Sequence, residues 1–364
     1  MANNQRRFFG SLYPIVMFVV ALSLTLMLGC GDDYNTPSGP EEVQEILLLS
    51  PDNPQVRAVM AVQDRHTEDI MSRPGVVGVA TGLDEDGNPA IIVMMESLSL
   101  SKKAFLPDEF ESVPVVTRIT GEIKALKGKP PQNNDKVDHT AQFRPAPLGV
   151  STGHPDITAC TVGARLKDVV GNLFVLSNNH CYADVNAAKI GDAVIQPGTF
   201  DGGSSPADDI GNLADFQIID FSPGGTNEID AAIASTTDLL VGNTTTSDCY
   251  GTPKSTTIAA AVNMKVKKCG RTTGLTKGSI IAINATVNVN YGAPGVATFV
   301  NQIVTTNISA GGDSGSLVVV DGKGKSKNDD RKPVGLLYAG SSSITILNPI
   351  DLVLNHFGMT IDGE

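Results

Sequence analysis

The chain lacks any surplus of positive charge: 27 lysines and arginines stand against 39 aspartates and glutamates, a formal net charge of −12. A nucleic-acid binder needs a basic face, so that class is excluded. Internal repeats are lacking too, and the one biased block is the charged loop Gly322–Arg331. Cysteines number only five and none has metal-ligand spacing, which argues against zinc. No other residue pattern asks for a cofactor. Histidines are equally few, at five, so any reaction that needs a base near neutral pH has a short list of candidates.

What is present is a globular composition, 41% hydrophobic over 364 residues, long enough for about two domains. Before that fold comes an export signal. Arg6 and Arg7 precede the apolar run Ile15–Leu28, which ends in Leu26-Met-Leu-Gly-Cys30. The last residues resemble a bacterial lipobox, with Met27 where an aliphatic Leu, Val or Ile is usual. That resemblance makes Cys30 the lipidated first residue of the mature protein, anchored to the cell envelope; the alternative is an uncleaved membrane anchor. Residues 1–29 are then a lipoprotein-type signal peptide and 30–50 a polar tether. Export places the remaining cysteines, Cys160, Cys181, Cys249 and Cys269, in an oxidising compartment. Four cysteines allow three connectivities, and spacing does not choose among them.

Residues 51–128 read as a small α+β domain. Asn53-Pro54 has N-cap and first-turn chemistry for a helix to about Ser72. Strands are predicted at Val76–Gly82 and Ala90–Met95 around the turn Asp84–Gly87, and at Val113–Thr120 after a polar, partly helical crossover. Its histidine, His66, lies on the helix and is assigned no role. Residues 129–148 have linker composition. From 149 to 364, short strand-like segments recur between Gly, Pro, Asn and Asp, among them Thr158–Leu166, Leu173–Ser177, Phe216–Phe221, Ser279–Val289 and Pro333–Ala339. A closing helix is predicted at Pro349–Phe357.

Within this β-rich region one serine stands out. Ser314 lies in Asn307–Leu317, NISAGGDSGSL, flanked by glycines that allow a tight turn and open backbone N–H groups. A serine hydroxyl needs a base to take its proton and donors to hold the resulting oxyanion. His180 ends the strand-like Val175-Leu-Ser before a polar turn, where a scaffold positions reactive groups. Cys181 would pin that turn if bonded to Cys160. Of the aspartates between His180 and Ser314, most sit in polar loops such as Pro206–Asp209. Asp230 instead heads the small apolar run Ala231-Ala-Ile-Ala234, where a carboxylate is costly unless paired.

LSNNHC around His180, EIDAAIA around Asp230 and GGDSGS around Ser314 together resemble the three signatures of the trypsin-like, chymotrypsin-fold serine peptidases, in the same order. The similarity is greatest to bacterial secreted members. It implies a mainly β fold of two packed six-stranded antiparallel barrels over 149–364, a peptide or protein substrate, and a His180-Asp230-Ser314 triad with Gly312 and Ser314 N–H groups as the oxyanion hole. Cys269-Gly-Arg-Thr-Thr-Gly274 is similar to a segment of the bacterial members in which an arginine pairs with the aspartate before the nucleophile. Carried over, Arg271 pairs with Asp313, and a disulfide Cys249–Cys269 lies beside it. Ile308 falls at the pocket floor, with Tyr338-Ala-Gly340 as a wall; no acid stands at that floor, so an apolar preference is expected. Asn178, Asn179 and Ser316 depart from the animal enzymes' pattern. The small N-terminal domain is a pro-region, an inhibitor or a partner-binding domain. The competing class is a catalytically silent, membrane-tethered binding protein on a peptidase scaffold.

Labelled palmitate supplied to expressing bacteria is expected to enter the protein and to be lost in Cys30→Ala. Uptake that survives the substitution contradicts lipidation at Cys30.

Overall fold

The computed structural model describes residues 49–126 and 137–364. The signal peptide, Cys30, nearly all of the expected tether and part of the expected linker lie outside the described residues. Among the described residues no helix is long and apolar enough to cross a membrane.

Helix Pro54–Met71 starts as its sequence requires. The Asn53 side chain accepts hydrogen bonds from the N–H groups of Gln55 and Val56, and Pro54 occupies the first turn, where a missing N–H costs nothing. Val56, Val59, Val62 and Ile70 form its buried face. Most of that face packs on strands Val76–Leu83 and Pro89–Met95 through Val79, Ile91, Val93 and Met95. Strand Val113–Ile119 returns parallel to Pro89–Met95 after a crossover that contains the short helix Leu98–Ser101. This layer also extends the C-terminal sheet, because Val76–Leu83 pairs antiparallel with the long strand Gly274–Asn290.

The C-terminal half closes on itself. Lys265–Gly270 pairs with Gly274–Asn290, which pairs with Val296–Thr306; the path continues through Ile344–Pro349, Pro333–Gly340 and Leu317–Val320 back to Lys265–Gly270. Six antiparallel strands thus leave no free edge within that ring. The first half is a six-stranded sheet whose pairing order runs Ala193–Ile195, Asp209–Phe216, Ala232–Ser235, Leu173–Ser177, Ala164–Lys167 and Thr360–Ile361. Its ladder stays open at the ends. Leu166, Leu176 and Ile233 from this half meet Leu317, Leu336 and Val353 from the other in one buried cluster. The closing helix, Ile350–Phe357, is part of that seam and ends on Gly358 in the left-handed region.

Two segments differ from expectation. Thr158–Leu166 is not one strand but two, Cys160–Thr161 and Ala164–Lys167, interrupted at Gly163 where the Gly315 carbonyl comes close. The strand expected at Phe216–Phe221 lies earlier, at Asp209–Phe216. The residues after Phe216 instead serve as acceptors and donors for side chains, with the carbonyls of Gln217 and Ile219 bonded to Asn179 and Asn186.

The disulfides join Cys160 to Cys181 and Cys249 to Cys269. Each closes a loop of about 20 residues, and in the chain-entropy description such a cross-link contributes about 3 kcal/mol. A Cys249→Ala/Cys269→Ala double variant is therefore expected to lose about 3 kcal/mol in equilibrium urea unfolding. An unchanged transition midpoint contradicts this.

Candidate active site

The strand Leu173–Ser177 delivers Asn178 and then a single helical turn, Asn179–Tyr182, that carries His180. The turn is fixed from several directions. The Asn179 side chain bonds Asn186 and the Gln217 carbonyl, the Asn178 side chain donates to the Asp230 carbonyl, and Cys181 is tied to Cys160. Asp230 lies opposite, fully buried, just before strand Ala232–Ser235.

His180 Nδ1 and Asp230 Oδ2 are 2.6 Å apart. Two more donors converge on the same carboxylate: Tyr291 Oη gives a hydrogen bond to Oδ2 at 2.8 Å, and the His180 backbone N–H reaches Oδ1 at 3.2 Å. With two other donors on it the carboxyl fits an anion, which can only accept from Nδ1; a neutral imidazole in this arrangement carries its proton on Nδ1 and its lone pair on Nε2. Nε2 is buried and has no hydrogen-bond partner among the described residues. Burial first, then the nearby Asp230 charge, push the Tyr291 phenol well above its usual range, which keeps it a donor. The Asp230 backbone N–H is held by Asn348, which bonds Gln302 in turn. Tyr291, Asn348 and Gln302 all belong to the C-terminal half, so the acid of one half is oriented by the other.

Ser314 sits in the loop between Val296–Thr306 and Leu317–Val320. Gly312 and Gly315 adopt φ of +100° and +92°, which side chains other than glycine take only with strain. The loop is pinned from the first half: Thr161 N–H donates to the Ser314 carbonyl at 2.8 Å and Thr161 Oγ1 to the Gly312 carbonyl at 2.9 Å. Ser314 Oγ lies 3.2 Å from two carbonyl oxygens, those of Leu126 and Tyr338. Its hydrogen bond goes there and not to His180 Nε2. The Gly312 N–H also points at the Leu126 carbonyl, at 3.4 Å.

The expected pairing of Arg271 with Asp313 is not what the structure holds. Asp313 is saturated by other groups: the N–H groups of Thr272, Thr273 and Ala310, the Thr273 hydroxyl, and the ammonium of Lys268 at 3.2 Å. Lys268 and Asp313 are both fully buried. The Arg271 guanidinium turns to Asp201, which it meets through two nitrogens, and lies over the Phe200 ring. The cation that compensates Asp313 is therefore Lys268, three residues earlier.

Of the expected pocket residues, Ile308 is buried among Val266, Ile280 and Leu337. Tyr338 contributes its carbonyl to Ser314, while its ring is packed against Phe299 with centroids 4.9 Å apart. Gly340 pairs with Lys124. A cleft of about 440 Å³ is lined by His180, Tyr291, Ile157 and Cys160 together with Ala125 and Leu126. Two groupings bring a histidine near two sulfurs, His180 with Cys160 and Cys181, and His139 with Cys249 and Cys269. Both cysteine pairs are disulfides, so neither offers a thiolate to a metal.

Tyr291, Asn348, Lys268 and Leu126 escape sequence reasoning. None carries a local motif, and each acquires its role only through pairing between distant strands.

A family model described as the Nal1 C-terminal domain matches residues 227–350, a stretch that holds Asp230 and Ser314. Glutamyl endopeptidase 2 of Streptomyces griseus is 28% identical over 194 residues, which make up 52% of this chain and 87% of that protein. Among solved structures, Thermobifida fusca protease A aligns at 21% identity with a TM-score of 0.43, covering 60% of this chain and 98% of its own. Cellulomonas bogoriensis chymotrypsin aligns at 19% identity with a TM-score of 0.41, covering 60% and 98%. The fold is mainly β. The chain is similar, at low identity, to the trypsin-like serine peptidases.

Removing one member of a buried ion pair leaves the other uncompensated, typically at a cost of about 3–5 kcal/mol. Lys268→Met is expected to destabilise the protein by about that much in urea unfolding, with Asp313→Asn in the same chain recovering part of the loss. A loss below about 1 kcal/mol contradicts the assignment of Lys268 as the Asp313 counter-ion.

Proposed function

We propose that this protein is an exported serine endopeptidase that works through Ser314, His180 and Asp230. The observation that carries the reading is the buried His180–Asp230 pair at 2.6 Å, whose Nε2 has no hydrogen-bond partner among the described residues, at a cleft that His180 lines together with Leu126, whose carbonyl Ser314 Oγ touches. In this mechanism Nε2 takes the Ser314 proton as the oxygen attacks a substrate carbonyl. Asp230, steadied by Tyr291, stabilises the imidazolium that forms. The N–H groups of Gly312 and Ser314 hold the developing oxyanion, with the Lys268–Asp313 pair fixing the loop that presents them. His180 then protonates the leaving amine, an acyl-enzyme on Ser314 results, and water resolves it.

Lipid attachment at Cys30 would keep this activity at the cell envelope. The segment 51–128 would act on the peptidase half as a pro-region or partner-binding domain. The preference we propose is for an apolar residue before the cleaved bond, since Ile308 belongs to an aliphatic cluster. The curated relative is named a glutamyl endopeptidase; among the described residues around Ile308 the packing is aliphatic rather than cationic.

A second reading, a silent binding protein on the same scaffold, draws on one observation: Ser314 Oγ bonds carbonyls instead of His180 Nε2. A fluorophosphonate probe separates the two. The enzyme reading expects an adduct on Ser314 that is lost in Ser314→Ala. Well-folded protein that never labels, even after prolonged incubation, supports the silent scaffold.

A further inference from the structure

The cleft beside His180 carries charge that the proposed reaction does not use. It measures about 440 Å³, and among its described lining residues are two aspartates, Asp156 and Asp184, and no lysine or arginine. Asp156 is exposed. The ring beside it, His154, accepts the Asp156 N–H on Nδ1 at 3.1 Å, so that nitrogen has no proton for the carboxylate 3.8 Å away. The half-buried Asp184 side chain forms no ion pair or hydrogen bond among the described residues. The wall around both is largely apolar, with Ile157, Ala159, Val185 and Pro294.

Asp184 is held in place against backbone strain. Asp184, Val185 and Asn186 take φ of +44°, +51° and +74°, three successive left-handed residues, and a β-branched side chain such as that of Val185 rarely adopts this region. Asn186 tolerates it best and anchors the turn. Its side chain accepts from Asn179 Nδ2 at 2.8 Å and from the Ile219 N–H at 3.0 Å, and donates to the Ile219 carbonyl at 2.9 Å. Asn179 directly precedes His180, so the turn that presents Asp184 is fixed to the one that presents the imidazole. Val185 packs on the cluster that holds Tyr291. A second, independent observation points to a ligand here. The His180 side chain is only 7% exposed and lines the cleft, yet its Nε2 has no hydrogen-bond partner among the described residues.

A lysine or arginine side chain has the matching form, an apolar stem for Ile157 and Val185 and a cationic tip for the carboxylates. We propose that this cleft selects a basic residue on the leaving side of the cleaved bond, through Asp184 with Asp156 in support. The inference rests on the serine-peptidase reading and deepens it by naming a substrate class. The side follows from His180, which hands its proton to the leaving amine. Asp184 follows His180 by four residues, and Asp156 leads into Cys160, whose disulfide partner Cys181 is the next residue after His180. The aliphatic cluster around Ile308 belongs to the other half of the fold. The substrate is then a peptide with an apolar residue before the cleaved bond and lysine or arginine within two residues after it. The net charge of −12 draws such cationic peptides from a distance.

The full-length protein is incubated with a peptide library randomised on both sides of the cleaved bond, and the cut sites are read by mass spectrometry. Matched peptides with lysine or glutamine at the selected position then give a ratio of kcat/KM within each enzyme. Lysine and arginine are expected to be enriched within two residues after the bond, with a lysine-to-glutamine ratio of about 10 in wild type. Asp184→Asn lowers that ratio to about 3, and Asp184→Asn with Asp156→Asn brings it to about 1. Asp184→Lys turns the preference toward glutamate, and added salt moves the wild-type ratio toward 1 by screening. A wild-type ratio near 1, or one that survives the double substitution, overturns the inference, while the cleavage itself leaves the peptidase reading intact. Enrichment confined to positions before the bond overturns it as well. If no peptide in the library is cut, the peptidase reading fails and the inference falls with it.

Discussion

A carboxylate buried without solvent must be matched by donors, and Asp230 is the group around which this structure satisfies that rule. Its side chain and backbone draw together His180 and Asn178 from the first half and Tyr291 and Asn348 from the second. The imidazole is thereby fixed in one tautomer and one orientation. The same contacts tie the two halves across their seam, so the geometry of the candidate site and the docking of the sheets depend on one another. A change at Asn348 reaches the His180–Asp230 pair without touching the cleft.

The Ser314 loop repeats the pattern with a second buried acid. Asp313 is neutralised by Lys268 and by three backbone N–H groups; its own N–H turns in to the Ala310 carbonyl, while the Gly312 N–H points at the Leu126 carbonyl. The expected partner, Arg271, has the right charge and lies close in sequence, yet its guanidinium runs to Asp201. The lysine is a compact cation on a flexible stem and reaches into a space already lined by Thr273 and the Gly274 carbonyl.

Much of the frame is legible in the sequence because its signals are local. Asn53-Pro54 caps a helix, Asp84–Gly87 turns a hairpin, and glycines surround Ser314 where positive φ is needed. The sequence places His180, Asp230 and Ser314 by their neighbours, and the structure brings His180 and Asp230 into contact while it turns Ser314 Oγ to Leu126 and Tyr338. What is not legible is non-local. Nothing near Tyr291 announces that its hydroxyl ends on Asp230, and Lys268 reads as one of several lysines on an amphipathic strand. The small N-terminal layer reads as separate from its own pattern. Only strand pairing reveals that Val76–Leu83 extends the second half and that Lys124–Leu126 lies across the serine.

The central claim is that the His180–Asp230 pair activates Ser314. Its most direct measurement is the rate of fluorophosphonate adduct formation at Ser314, read by peptide mass spectrometry with and without Asp230→Asn. Loss of the acid leaves the imidazole in the wrong tautomer, and the account expects the rate to fall by about three to four orders of magnitude. An unchanged rate in folded protein would contradict it.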